Sequence, residues 1–195
     1  MPRQVCLECQ RPVSACICDL FIQTDNCVHV VVVQHPSESK RHKGSVPLLA
    51  NSLTNCHVIT TDTLADSELF QQLVATFKGH IGLLYPSEVA IPLESKVSEP
   101  NGSTLKCLIL LDGTWKKAYR LYMENSQLHQ LPHYTFSSTF DSKYIARHTG
   151  KKGALSTLEA CCHALALLED KQDKYAGLME SFVKFNQRLL SFPKN

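Results

Sequence analysis

Short apolar runs alternate along this chain with stretches whose apolar residues recur at helical spacing. Val28–Val33 is β-branched throughout its second half and predicts a strand, followed by the loop-like HPSESKRHKGS of residues 35–45. A short helix is expected over Pro47–Ser52, a strand over His57–Thr60, and a helix over Leu64–Phe77 on the spacing of Leu69, Leu73 and Phe77. Ile81–Tyr85 and Leu105–Leu111 predict strands, separated by a polar linker from Glu94 to Ser103. Trp115, Ala118, Tyr119 and Tyr122 then mark one face of a helix. Tyr134–Phe136 predicts a further strand, and Ser156–Asp170 and Tyr175–Leu190 predict two closing helices.

Such alternation predicts an α/β domain with a mainly parallel sheet flanked by helices. Sheets of this kind bind ligands at the carboxyl ends of their strands. Three loops meet that condition: the one after Val33, the turn Tyr85-Pro86-Ser87-Glu88, and the turn Asp112-Gly113-Thr114. No internal repeat or low-complexity segment interrupts the pattern.

Composition narrows the class. The chain has 195 residues, 44% of them hydrophobic and 19% charged, with a net charge of +2. These values suit one well-buried domain and exclude both wholesale disorder and a strongly basic binder, so a nucleic-acid surface has to be a local patch. The longest apolar runs are far too short to span a bilayer, which implies no membrane partner. The first twenty residues carry charges and cysteines in place of an apolar export signal, and the expected location is cytoplasmic.

Nine cysteines are an odd number for a disulfide framework, and cytosolic thiols with metal-like spacing fit better. Cys6-x2-Cys9-x6-Cys16-x-Cys18 places four thiolates within reach of one tetrahedral Zn²⁺. Four sulfur ligands close the shell, so the zinc is expected to be structural. The alternative is a reduced cysteine-rich arm without metal. Residues 1–20 therefore read as a zinc-binding knuckle, and residues 21–195 as the main domain. Cys27, Cys56, Cys107, Cys161 and Cys162 lie in apolar patterns and are expected to be buried thiols.

LLDGTW, residues 110–115, concentrates the chemistry. The string resembles the strand end of aspartate-nucleophile phosphatases, but Leu110 stands where their nucleophile must be, so that reaction is excluded. One reading makes Asp112 or Thr114 a helix cap and Trp115 a core residue. The other uses the free N–H groups of a helix that starts near Thr114 to hold a carboxylate or phosphate. Asp112 would then pair with an ammonium or accept a proton, so a ligand with an amino-acid moiety satisfies both groups. Further on, Lys143, Arg147, His148, Lys151 and Lys152 form a positive stretch, either a solvated loop or a phosphate-binding surface. Ser156-x-x-Glu159 fits a capping box.

The cysteine knuckle, HPSE at 35–38, YPSE at 85–88, LLDGTWKKAYRL and ARHTGKKGALSTLEA occur in this order, and together they resemble the DTW-domain proteins. The nearest fit is the bacterial branch that modifies uridine in tRNA. The likeness runs from Cys6 to about Leu168. It implies a SPOUT-like fold with a C-terminal knot near the cofactor site, which periodicity alone does not reveal. It implies transfer of the 3-amino-3-carboxypropyl group of S-adenosylmethionine to a uridine ring nitrogen in tRNA, with methylthioadenosine released. On this resemblance Asp112 is the catalytic candidate, as general base or as ammonium ligand. Asp112, Gly113, Thr114 and Trp115, with Tyr85, Pro86, Ser156, Thr157 and Glu159, border the cofactor. Arg147, Lys151 and Lys152 hold RNA, with Lys116, Lys117 and Arg120 as weaker candidates. The chain departs from the family at His42-Lys43-Gly44-Ser45, where an Asn-Thr-Gly-like segment is common. Two alternatives stay open from the sequence: an RNA methyltransferase using the same donor, and a zinc-bearing RNA-binding protein without catalysis. The oligomeric state is also open.

Overall fold

The computed structural model describes residues 4–39, 41, 43–97, 104–137 and 155–191. Six strands form one sheet: β1 (His29–Gln34), β2 (Cys56–Thr60), β3 (Ile81–Leu84), β4 (Ile91–Pro92), β5 (Cys107–Asp112) and β6 (His133–Thr135). Their order is β2-β1-β5-β3-β6-β4, and every pairing is parallel. The helices are α1 (Pro36–Ser39), α2 (Val46–Ser52), α3 (Glu68–Thr76), α4 (Leu93–Val97), α5 (Trp115–Glu124), α6 (Ser126–His129), α7 (Thr157–Leu168) and α8 (Ala176–Ser191).

The valine run makes sense once both faces of the sheet are covered. Val30 and Val32 pack with α2, α4, α7 and α8, whereas Val31 and Val33 pack with α3, α5 and α6. A strand buried on both faces has no polar alternation to show, and so reads as one continuous run. Connections stepping towards β4 cross on the α3 face and those stepping back cross on the α2 face. That gives one hand of crossover throughout, as parallel sheets require. β1 and β5 are neighbours whose chains leave in opposite directions, β1 towards β2 and β5 towards β6. A crevice opens at their carboxyl ends, where Gln34 and Asp112 are register partners.

The cysteine-bearing segment docks on the main body. Cys9, Ile17 and Leu20 belong to the core on the α8 face. Arg188 of α8 reaches Asp19 at 2.6 Å and donates to the Cys16 carbonyl at 2.8 Å. Arg11 donates to the Gly44 carbonyl at 2.9 Å and lies over the Phe185 ring.

Several local expectations need correction. The helix expected over Leu64–Phe77 begins only at Glu68, because Ser67 is extended and its hydroxyl accepts from the Phe70 N–H. Its buried residues are Phe70 and Leu73, and Leu69 faces water. β4 lies just before the polar linker and α4 runs into it from Leu93; residues 98–103 lie outside the described part. The loop at 35–45 holds the single turn α1. Cys27 is exposed and Cys56 half-buried, whereas Cys107, Cys161 and Cys162 are buried as expected. Trp115 and Tyr119 do not form the core face of α5; Ala118 and Leu121 do. The short helix α6 matches no expected element; the remaining strands and helices match within a residue or two.

Candidate functional site

Side-chain parity decides what surrounds Asp112. Alternation along β5 puts it on the same face as Leu108 and Leu110, the face covered by α7, while α5 packs on the other. Gln34 has the matching parity on β1. Its amide donates to Asp112 Oδ2 at 2.9 Å, and the hydroxyl of Thr157, the first residue of α7, donates to Oδ1 at 2.6 Å. Gln34 and Asp112 are 5% and 7% exposed, so this carboxylate is held by two donors nearly out of water. A carboxylate has about four acceptor positions, which leaves lone pairs for an ammonium or a proton. Asp112 does not cap α5. Thr114 occupies the cap position without a side-chain hydrogen bond. Gly113 is required sterically, since a Cβ there would lie 2.9 Å from Lys117 Cβ.

Ser156 and Glu159 form the expected capping box: the Glu159 N–H donates to Ser156 Oγ at 3.2 Å, and the Ser156 N–H donates to Glu159 Oε2 at 2.8 Å. Both residues are buried, and the box fixes the start of α7 and with it the Thr157 hydroxyl. Across the crevice, buried Glu38 pairs with Lys117 at 2.6 Å and with Arg41 at 3.4 Å. Lys117 thus ties the loop after β1 to the first turn of α5, whereas Lys116 and Arg120 are exposed. Arg147, Lys151 and Lys152 lie outside the described residues.

Beyond β3, the YPSE turn stands beside the end of β5. Tyr85 stacks on Tyr122 at 4.7 Å, and its hydroxyl is pushed above the ordinary tyrosine value by burial first, then by Tyr122 and Tyr119. Pro86 is exposed. Ser87 bonds His133 Nδ1 at 2.7 Å, and His133 Nε2 meets the Leu128 carbonyl at 2.8 Å, so the ring carries its proton on Nε2 and Ser87 donates.

Gln34, which holds the candidate carboxylate, was not assigned from the sequence, and neither were the Glu38–Lys117 and Ser87–His133 pairs nearby in the fold. Gln34 had a readable signal: it ends an apolar run just as Asp112 does. The Ser87–His133 pair had none, because its members are far apart in the chain.

The four cysteines meet as their spacing predicts. Their Sγ atoms all lie within 4.8 Å of one another, with Cys6–Cys18 at 3.5 Å, Cys6–Cys16 at 3.7 Å and Cys9–Cys16 at 3.8 Å. Zinc–sulfur bonds of about 2.3 Å in a tetrahedron set the sulfurs about 3.8 Å apart, so the donor set fits that ion. The Cys6 thiol is lowered to about 6 by the N–H groups of Cys9 and Glu8, then by Cys18 and Cys16. Cys18 is pushed the other way, by burial and then by Cys16, Cys6 and Cys9. Were all four deprotonated, a cation held among them would share their charge.

A parallel α/β sheet with a buried carboxylate at its switch point defines the class of ligand-binding α/β proteins. Comparison with known sequences makes this specific. The DTW domain matches residues 3–190, and the chain belongs to that family. It is 31% identical over 176 residues to "tRNA-uridine aminocarboxypropyltransferase 2" of Drosophila melanogaster, covering 88% of this chain and 69% of that protein. It is 30% identical over 200 residues to the protein of the same name in Macaca fascicularis, covering 97% of this chain and 63% of that one. With "tRNA-uridine aminocarboxypropyltransferase A" of Arabidopsis thaliana it shares 23% identity over 96% of this chain and 83% of that one. These three are animal and plant proteins, whereas the resemblance in the sequence pointed to a bacterial branch. No solved structure matches the chain.

Proposed function

We propose that this chain is a tRNA-uridine aminocarboxypropyltransferase using S-adenosylmethionine. The observation that carries the reading is similarity over nearly the whole chain to proteins of that name, with the DTW aspartate at the switch point of the sheet. In the reaction a uridine ring nitrogen forms a bond to the γ-carbon of the aminocarboxypropyl group. The carbon–sulfur bond breaks, its electron pair neutralises the sulfonium, and methylthioadenosine leaves. The nitrogen's proton goes to a base.

Asp112 is the protein group suited to the charged part of this chemistry, either accepting that proton or holding the ammonium of the amino-acid tail. Gln34 and Thr157 orient it, and the tail's carboxylate is assigned to the start of α5 at Gly113, Thr114 and Trp115. Fixing the tail there presents the γ-carbon rather than the methyl group to the uridine, a choice made by proximity. Tyr85, Pro86, Ser156 and Glu159 complete the cofactor surround. RNA phosphates are assigned to Lys116, Arg120, Arg147, Lys151 and Lys152; Lys117 joins them only on leaving Glu38.

The fold of residues 21–195 is assigned to the SPOUT-like class, with a C-terminal knot. Residues 1–20 are assigned as a structural zinc knuckle docked on that domain. The protein acts on tRNA in the cytoplasm. Among the described residues no helix is long and apolar enough to cross a membrane.

The test is incubation of the purified chain with unmodified tRNA and S-adenosylmethionine labelled in its carboxyl carbon. Label in tRNA with stoichiometric methylthioadenosine is expected. Label only from a methyl-labelled donor would identify a methyltransferase, and RNA binding without either label a non-catalytic protein.

A further inference from the structure

Helix α5 has two faces of opposite character. Ala118 and Leu121 are buried against the sheet, whereas Trp115, Tyr119 and Met123 are 48%, 56% and 51% exposed. Residues four apart share a stripe, so these side chains form one ridge about 12 Å long that begins at the candidate site. Large apolar side chains left contiguous on a surface mark a contact.

The chemistry of the ridge narrows the partner. Two of its three members are aromatic, and Lys116 and Arg120 run along the adjoining stripe. Arg120 bonds Glu124 at 2.8 Å, but that is an exposed pair four residues apart, held by little free energy and easily exchanged for a phosphate. Rings interleaved with cations suit nucleic acid, since every base has a face to stack and every nucleotide a phosphate. Successive ridge positions rise by about 6 Å along the helix axis, wider than the roughly 3.4 Å step of stacked bases. Bases meeting successive ridge residues have to be unstacked, as in a loop.

We propose that the Trp115–Tyr119–Met123 ridge is a stacking platform for unpaired RNA bases next to the target uridine, with Lys116 and Arg120 on their phosphates. The proposal rests on the RNA-modifying reading and names where that RNA lies. It places the bound strand along α5, leading away from Asp112, and makes looped tRNA rather than duplex the preferred partner.

Trp115 is the chain's only tryptophan, so its fluorescence reports on the ridge directly. Titration of the full chain with a mixed-sequence single-stranded RNA is expected to quench it, while the same strand in a duplex leaves it nearly unchanged. Tyr119→Ala is expected to weaken binding of unmodified tRNA by roughly 10-fold, with Tyr119→Phe restoring it, as loss of one stacked base implies. Methylthioadenosine formation at saturating tRNA should change less than the KM for tRNA. If tRNA is modified while Trp115 fluorescence and the KM of Tyr119→Ala stay at wild-type values, the ridge is not the platform and the transferase reading stands. If the chain neither binds nor modifies tRNA, the reading itself fails. A fluorescence shift that follows protein concentration without RNA, with dimers in sedimentation, would overturn the proposal by giving the ridge to a second copy.

Discussion

Asp112 shows how much one position depends on its partners. Its two oxygens are each held by a donor, from Gln34 and Thr157. Asp112→Ala would strand the buried Gln34 amide, at a cost of about 1–3 kcal/mol, release the half-buried Thr157 hydroxyl, and confuse folding with function. Asp112→Asn keeps the volume and an acceptor, so it is expected to fold with a melting temperature close to wild type. Transfer of the aminocarboxypropyl group should fall at least about 100-fold if Asp112 takes the proton. Steady-state kinetics separate its two candidate roles. A lower kcat at unchanged KM for S-adenosylmethionine marks the base, and a raised KM with kcat largely kept marks the ammonium ligand.

The two helices that begin at the crevice are secured differently. α7 starts with a complete capping box, and its Leu158, Cys161, Ala164 and Leu165 are fully buried. Ser156→Ala is therefore expected to lower stability by about 1 kcal/mol, read from the denaturation midpoint. It should lower activity further, because the box also positions the Thr157 hydroxyl on Asp112. α5 starts at Thr114 without a side-chain cap. Thr114→Ala should change stability by no more than about 0.5 kcal/mol, so any larger loss of activity reports on the ligand rather than on the helix.

Across the whole molecule, distant segments are joined by few but specific groups. Glu169 at the end of α7 accepts from the N–H groups of Cys27 and Val28, from Lys174 at 2.6 Å and from the Tyr175 hydroxyl at 2.9 Å. Burial alone would raise its carboxyl, but Lys174, the Val28 N–H, the Tyr175 hydroxyl and the Cys27 N–H together bring it below the ordinary value of 4.5. A depressed acid stabilises the fold fully above its unfolded value and loses that contribution as pH falls through the folded one. Glu169→Gln is thus expected to melt lower than wild type at pH 7, the gap closing below about pH 4.5 in thermal scans. The cysteine knuckle joins in a second way, through Cys9, Ile17 and Leu20 in the core. Metal analysis should find about one zinc per chain, and chelation should lower the melting temperature of the entire protein rather than release a separate tail.

The sequence by itself determined the class of fold, the strand that ends at Asp112, the capped start of α7 and the grouping of four cysteines. Each of these is local: a run, a period or a spacing within a few residues states it. The tertiary structure decided what those features face. Register brings Gln34 opposite Asp112 from 78 residues away, and parity turns both towards α7. Trp115 and Tyr119 follow a helical period that two sides of α5 satisfy equally, and only packing on the sheet shows that Ala118 and Leu121 take the inner one. Short-range periodicity is written in the chain, whereas the choice of neighbours is made by long-range burial, which no single segment encodes.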